Sequence, residues 1–170
     1  MCFITYYTNE HLNEYYMTRS IEIVKRHYAL REDKDYKMPS RATSHSAGYD
    51  FYNLTGEDIL IPAGEWSKAI TTFHKASMAQ DEVLKIYPRS SFGFKHQTVL
   101  VNSVGIIDSD YYNNEQNEGE IYVKFWNYGD KEMVIPAGTA FCQGIFQKYL
   151  ITDSDSFDGQ LRCGGIGSTT

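Results

Sequence analysis

Apolar and polar residues alternate in short runs along most of this chain, and no long run keeps a helical period. In TRSIEIVKRHYAL, Ile21, Ile23 and Lys25 alternate with Glu22 and Val24 as in a first strand. Residues 31–46 are charged, then carry Pro and Ser, and read as a loop. AGYDFYNL (47–54) opens a new strand, and EDILIP (57–62) is a short strand closed by Pro62-Ala63-Gly64. WSKAITTFHK (66–75) and VLKIYP (83–88) alternate loosely around a turn at ASMAQDE, and MVIPAG (133–138) repeats the strand-then-turn form of LIPAG (60–64). CQGIFQKYLI (142–151) is the last strand, and 152–161 reads as a flexible acidic linker. Pro88 to His96 breaks the alternation and predicts a turn or two of helix, with a Ser as the natural N-cap. Val104 to Phe125 predicts a β-hairpin, with Val104–Ile107 and Ile121–Phe125 as arms around a polar tip. Short strands, turn residues between them and Pro confined to strand ends predict an all-β domain of barrel or sandwich type.

Composition narrows the function classes. A chain of 170 residues is long enough for one domain with a real core. A net charge of −6 argues against a general nucleic-acid binder, whose affinity rests on Lys and Arg neutralising phosphates, but leaves open a small anionic substrate held by a few local cations. Cys2, Cys142 and Cys163 are odd in number and lack metal-ligand spacing, which fits a reducing compartment. No apolar run reaches membrane-spanning length, and Glu10 and Glu14 speak against a signal peptide. The expectation is a soluble, cytoplasmic protein without membrane or nucleic-acid partners. Residues 1–16 lack clear periodicity and are expected as an extension of uncertain order, with Met17 a second candidate start, before a β domain over 17–151 and a linker and arm over 152–170.

Three stretches carry candidate chemistry. Asp108 ends a predicted strand, where its carboxylate is fixed yet reachable, and Tyr111 follows three residues later as an aromatic platform. Arg89-Ser90-Ser91 offers a guanidinium and two hydroxyls at a predicted helix start, a menu for an anion. The tail RCGGIGSTT joins Arg162 to glycines and hydroxyls, so backbone N–H groups can approach phosphate oxygens, although the strand and Lys of a P-loop are missing. Asp50, Asp108 and Asp110 together could bind a hard cation directly or through water.

Taken in order, these pieces resemble the trimeric dUTP nucleotidohydrolases (dUTPases), of the phage or Gram-positive bacterial type. AGYD (47–50), PRSS (88–91), NSVGIIDSDYY (102–112, completed late by Gly119), AGTAFCQG (137–144) and RCGGIGST (162–169) match the five ordered motifs of that family, across about Met17 to Thr170. The resemblance implies a distorted β jelly roll of the β-clip type, with one short helix near the second motif. It implies Mg²⁺-assisted hydrolysis of dUTP to dUMP and pyrophosphate, with Asp108 as general base and Arg89 and Gln143 contacting phosphates or the water. Tyr111 would pack on the deoxyribose. Asn102 and the backbone around Gly105 and Ile107 would read the uracil. Ser90 and Ser91 would bind phosphate, Asp50 would help hold the Mg²⁺ shell through water, and Arg162, Gly165, Ile166, Ser168 and Thr169 would close over the nucleotide. It also implies a homotrimer whose sites lie between subunits, the C-terminal arm reaching into a neighbour's site.

The chain departs from the family pattern at four places. Ser91 stands where the second motif usually ends in Gly, Ala140-Phe141-Cys142 stand where Arg-Ile-Ala is common, and Ile166 replaces an aromatic that stacks on uracil. Six residues, Asn113–Glu118, separate Tyr112 from Gly119 and read as a polar extension away from the base pocket. A dCTP deaminase shares the fold and the Arg-Ser-Ser motif, but its proton-shuttling Glu aligns with Lys124 here. A dUTPase-fold regulatory protein that binds a repressor, through the N-terminal segment or the 113–118 tip, is the alternative from another class.

Overall fold

The computed structural model describes residues 19–157, 159, 162 and 164–166, so the expected extension 1–16 lies outside the described residues. Thirteen strands are described: β1 (Ser20–Ile23), β2 (Ser40–Arg41), β3 (Tyr49–Tyr52), β4 (Ile59–Ile61), β5 (Ile70–Thr71), β6 (His74–Ser77), β7 (Glu82–Pro88), β8 (Thr98–Leu100), β9 (Gly105–Asp108), β10 (Tyr122–Val123), β11 (Phe125–Asn127), β12 (Met133–Ile135) and β13 (Ala140–Lys148). One α-helix, α1 (Ser90–His96), follows β7, and 3₁₀ turns cover Lys25–Glu32 and Ser109–Tyr111. The first of these turns falls partly within the span read as loop. It buries none of its side chains, so it has no apolar face for a sequence pattern to show. All strand pairs are antiparallel. A five-stranded sheet of order β2-β3-β13-β7-β9 is flanked by the pairs β1-β6, β10-β5, β11-β8 and β12-β4. This is the all-β jelly roll expected, with its short helix at the second motif.

The two IPAG segments find each other: β4 and β12 pair with Ile61 opposite Met133 and Ile59 opposite Ile135. Their turns are tied by two buried amides. Asn53 Nδ2 donates to the carbonyls of Ile135 (3.0 Å) and Glu57 (2.8 Å), and Asn127 Nδ2 donates to those of Ile61 (3.0 Å) and Lys131 (2.8 Å). These bonds satisfy turn carbonyls that strand pairing leaves open. The core joins Phe51, Leu84, Ile86 and Phe141 of the large sheet to Ile61, Met133, Phe125 and Leu100 of the flanking pairs, with Phe92 of α1 stacked on Phe125 at 5.7 Å. Gly144 lets β13 lie close to this core, because a Cβ there would meet Leu84 at 2.9 Å and Phe51 at 3.0 Å. After β13 the chain leaves Leu150, Ile151 and Phe157 almost uncovered.

The predicted hairpin over 104–125 does not form. β9 pairs with β7, whereas β10 pairs with β5 and β11 with β8. Alternation marks a strand but not its partner. The connection also opens with a 3₁₀ turn and then bonds to its own Asn114 and Asn117 side chains, so it cannot close as a tight turn.

His74 is fully buried, with Nδ1 bonded to the Thr72 carbonyl and Nε2 at 3.1 Å from the Tyr36 hydroxyl. A neutral ring meets both contacts, and burial pulls its pKa down to about 4. The unfolded chain, near 6.5, binds a proton first on acidification. This ring's contribution is therefore full above about pH 6.5 and is lost as pH falls towards 4. Between pH 7 and pH 5 the loss is about 2 kcal/mol. Urea unfolding of wild type and His74→Gln at those two pH values is expected to show a smaller pH-dependent loss in the variant, and equal losses would contradict it.

Candidate active site

Pairing with β7 sets where β9 ends. Asp108, its last residue, stands opposite Val83 in extended conformation, and the Ser109–Tyr111 turn begins behind it. Its half-exposed carboxylate receives Arg162 of the C-terminal arm, with Nη2 3.0 Å from Oδ2. The arm is held at further points. The Arg162 backbone N donates to Asp110 Oδ2 (3.2 Å), its Nη1 donates to the Gly165 carbonyl (3.4 Å), and its guanidinium lies 5.7 Å from the centre of the Tyr111 ring. Arg162 Nε approaches Asp110 Oδ1 to 3.4 Å, yet it is buried and makes no hydrogen bond among the described residues. Tyr111 is buried rather than presented at the surface. Its hydroxyl donates to the Glu120 carbonyl (2.9 Å) and accepts from Asn117 Nδ2 (2.7 Å).

A second corner forms at the other end of β7. Arg89 follows Pro88 and occupies the N-cap position of α1, where a Ser was expected; its side chain makes no capping bond. Ser90 and Ser91 therefore open the helix, and their hydroxyls are unengaged among the described residues. Arg89 Nη1 lies 3.4 Å from Asp50 Oδ2, and Gln143 pairs in register with Asp50 on one side and Tyr87 on the other. Gln143 Nε2 donates weakly to the Pro88 carbonyl (3.4 Å). Burial raises the Asp50 pKa, and the Arg89 guanidinium offsets only part of that rise.

The two corners are separate within one chain. From Val83, opposite Asp108, to Arg89 is roughly 20 Å of extended backbone at ~3.3 Å per residue. Asp50 thus does not join Asp108 and Asp110, contrary to the three-carboxylate grouping read from sequence. Among the described residues no cluster of three or more His, Cys, Asp or Glu suits a metal ion. Asn102 lies in the exposed turn before β9, with its carbonyl accepting from Val104 N (2.6 Å). Gly105 pairs with Ile86, where a Cβ would come 3.0 Å from the Ile86 Cβ. The Ile107 side chain packs on the core, so only its backbone is available to a ligand. Ile166 is exposed, and Ser168 and Thr169 lie outside the described residues. The arm rests on Asp108 of its own chain, where the resemblance implies a neighbour's site. Lys124 holds its ammonium 6.0 Å from the Trp66 ring, so no carboxylate stands at the deaminase position.

The 113–118 stretch, read from sequence as a polar extension, contacts its surroundings through side-chain amides: Gln116 Oε1 accepts from Gly165 N (2.6 Å) and Asn117 bonds Tyr111. The available signal was the Asn-rich run before Gly119, since Asn side chains readily bond nearby backbone.

The all-β fold thus places a strand-end carboxylate under an Arg- and Gly-bearing arm and an Arg-Ser-Ser corner at the other end of β7. A family model described as dUTPase matches residues 34–169, and the chain belongs to that family. It is 41% identical over 152 residues to a deoxyuridine 5'-triphosphate nucleotidohydrolase of Lactococcus lactis, covering 89% of this chain and 97% of that relative. A Shewanella woodyi protein of the same name is 35% identical over 142 residues, covering 81% and 89%. The dUTPase of Streptococcus mutans superposes with a TM-score of 0.67 at 39% identity, over 78% of this chain and 98% of that one. At 16% identity and a TM-score of 0.62, the phage phi11 dUTPase of S. aureus, in a structure concerned with the coordination of a structural Mg(II) ion, shares the fold over 84% of this chain and 98% of its own. No helix among the described residues is long and apolar enough to cross a membrane.

With Arg89 replaced by Ala, burial alone acts on Asp50. Carboxyl ¹³C titration is expected to place Asp50 of Arg89→Ala higher than in wild type, and an unchanged midpoint would show that the pair carries no weight.

Proposed function

We propose that this protein hydrolyses dUTP to dUMP and pyrophosphate in sites shared between copies of a homotrimer. The observation that carries the reading is the Arg162–Asp108 contact, which brings the Gly-rich arm onto the strand-end carboxylate. In the reaction, Asp108 takes a proton from a water aimed in line at the α-phosphorus as the bond to the bridging oxygen of the pyrophosphate breaks. A triphosphate competes for the Arg162 guanidinium and so frees the carboxylate for that role. The unmet Nε donor of Arg162 suits an added phosphate oxygen. The backbone N–H of Gly165 and the hydroxyls of Ser168 and Thr169 add donors, while Arg89, Ser90, Ser91 and Gln143 hold phosphates and water from the other corner. Tyr111 backs the sugar, the backbone from Asn102 to Ile107 reads the uracil edge, and Ile166 covers the base.

The separation of about 20 Å between the corners supports sites built from two copies, Asp108 from one and Arg89 with Gln143 from another. Among the described residues, Asp50, already facing Arg89, would help hold Mg²⁺ through water. When bound, Mg²⁺ supplies charge neutralisation on the triphosphate. The cytoplasm is the compartment that fits the cysteine pattern.

Asp108→Asn is expected to keep nucleotide binding and to lose roughly 10²–10⁴-fold in pyrophosphate release, the range for a general base; near-normal turnover would remove Asp108 from that role. Mixing Asp108→Asn with Arg89→Ala, each inactive alone, is expected to restore activity in mixed trimers. No restoration would place each whole site within one chain.

A further inference from the structure

We infer that residues 22–27 brace the connection that carries Tyr111, and that Glu120 is the positioning residue through which this brace sets the ring behind the sugar. The link to the sugar rests on the dUTP reading above; the brace itself does not. This stretch lies ahead of residues 34–169, which the family model matches, and the proposed site uses none of it. It touches the connection at Tyr112, Glu118, Glu120 and Tyr122 in turn. Glu22 Oε2 accepts from the Tyr112 hydroxyl (2.9 Å), and Glu118 Oε2 accepts from the Lys25 backbone N (3.2 Å). Arg26 pairs with Glu120 and donates through Nη2 to the Tyr122 hydroxyl (2.7 Å). His27 Nε2 stands 3.0 Å from Glu120 Oε1. Lys75 closes the near end. Although almost wholly buried, it faces Glu22 across the β1-β6 pair, donates to Asn113 Oδ1 and lies 4.8 Å from the centre of the Tyr112 ring.

Glu120 is fully buried, and both of its carboxylate oxygens are met. Oε1 accepts from the Thr71 hydroxyl and Oε2 from the Tyr122 hydroxyl (2.7 Å), with the Arg26 guanidinium beside them. A carboxylate taken so completely out of water is held there by its partners, because removing one leaves a buried charge uncompensated. The carbonyl of the same residue accepts from the hydroxyl of the buried Tyr111 (2.9 Å). A shift of Glu120 is therefore passed directly to the Tyr111 ring. Strain is kept beside the cluster as well. The Thr71 hydroxyl also accepts from the Phe73 N–H (2.8 Å), and Phe73 sits at φ 64, a left-handed conformation that bulky residues rarely adopt. The Phe73 ring meets His27 edge-on, 4.9 Å between centres, so contacts from the brace help to fix that backbone. Glu22 brings a charge to the brace: burial works against it, but the Ser20 and Tyr112 hydroxyls hold its carboxyl below the usual range.

Arg26→Ala removes the cation that faces Glu120, and Arg26→Lys restores one. Tyr122→Phe takes a single hydroxyl from the cluster, which keeps the comparison open should Arg26→Ala fold poorly. The first readout needs no substrate: amide hydrogen exchange of the full-length protein, followed over residues 112–122 and over the β4-β12 pair. Exchange over 112–122 is expected to be roughly 10-fold faster in Arg26→Ala, the size of a hydrogen bond to a charged group, about 3-fold faster in Tyr122→Phe and close to wild type in Arg26→Lys, with β4-β12 unchanged. The second readout is the ratio of kcat/KM for dUTP to that for UTP, which differs by a 2′-hydroxyl. The ratio is expected to fall roughly 3- to 10-fold in Arg26→Ala and to recover in Arg26→Lys, because a displaced ring no longer meets the sugar closely. A merely structural defect would lower both substrates alike. Unchanged exchange over 112–122 would overturn the brace, and faster exchange with an unchanged ratio would overturn the positioning role. A wild-type protein that releases no pyrophosphate from dUTP would sink the substrate reading, while the exchange comparison would still decide the brace.

Discussion

The pairing of β7 with β9 on one side and β13 on the other is the constraint on which the site depends. Antiparallel hydrogen bonds fix register residue by residue, and a slip of one would turn every side chain to the opposite face. Val83 opposite Asp108 sets the carboxylate at one end of β7, and Pro88 opposite Cys142 sets Arg89 and Gln143 at the other. Neither position rests on a loop. The bends that the site needs come after the pairing ends, at the Ser109–Tyr111 turn and at α1, so reach is added without loosening the frame.

The same frame keeps the two corners of a single chain apart. β7 has seven residues, and its length separates the corner rich in hydrogen-bond donors from the corner that carries the carboxylate. A shorter strand would bring both together but would give up core contacts of Leu84 and Ile86, which are buried against Phe51 and Phe141. Burial also tunes the donor corner. Burial pushes the Asp50 pKa up, and the Arg89 guanidinium beside it offsets part of that rise.

Much of this was legible in the sequence where local chemistry decides the outcome. β4, β7 and β12 follow from alternation closed by Pro or Pro-Ala-Gly, and α1 from the break at Pro88. The ordered motifs singled out Asp108 and Arg89, which stand at opposite ends of β7, together with Gln143 of β13 and Arg162 of the arm. What failed depended on partners distant in the chain. The arms around 104–125 look like a hairpin because each is a good strand, yet each finds its mate elsewhere, in β7, β5 and β8. The 113–118 stretch looked like solvated polar surface because Asn and Gln are usually exposed. Here the amides of Asn114 and Asn117 are consumed by backbone groups one turn away, which composition alone does not distinguish from solvation.

The bare Leu150, Ile151 and Phe157 that follow β13 have a colloidal consequence. With a net charge of −6, two copies repel one another through dilute buffer, whereas these side chains attract only at contact. Raising ionic strength shortens the reach of the repulsion to about 8–10 Å near 0.1–0.15 M and leaves the contact attraction in place. Self-association through this segment would thus be promoted by salt rather than dissolved by it, the opposite of an assembly held by exposed ion pairs.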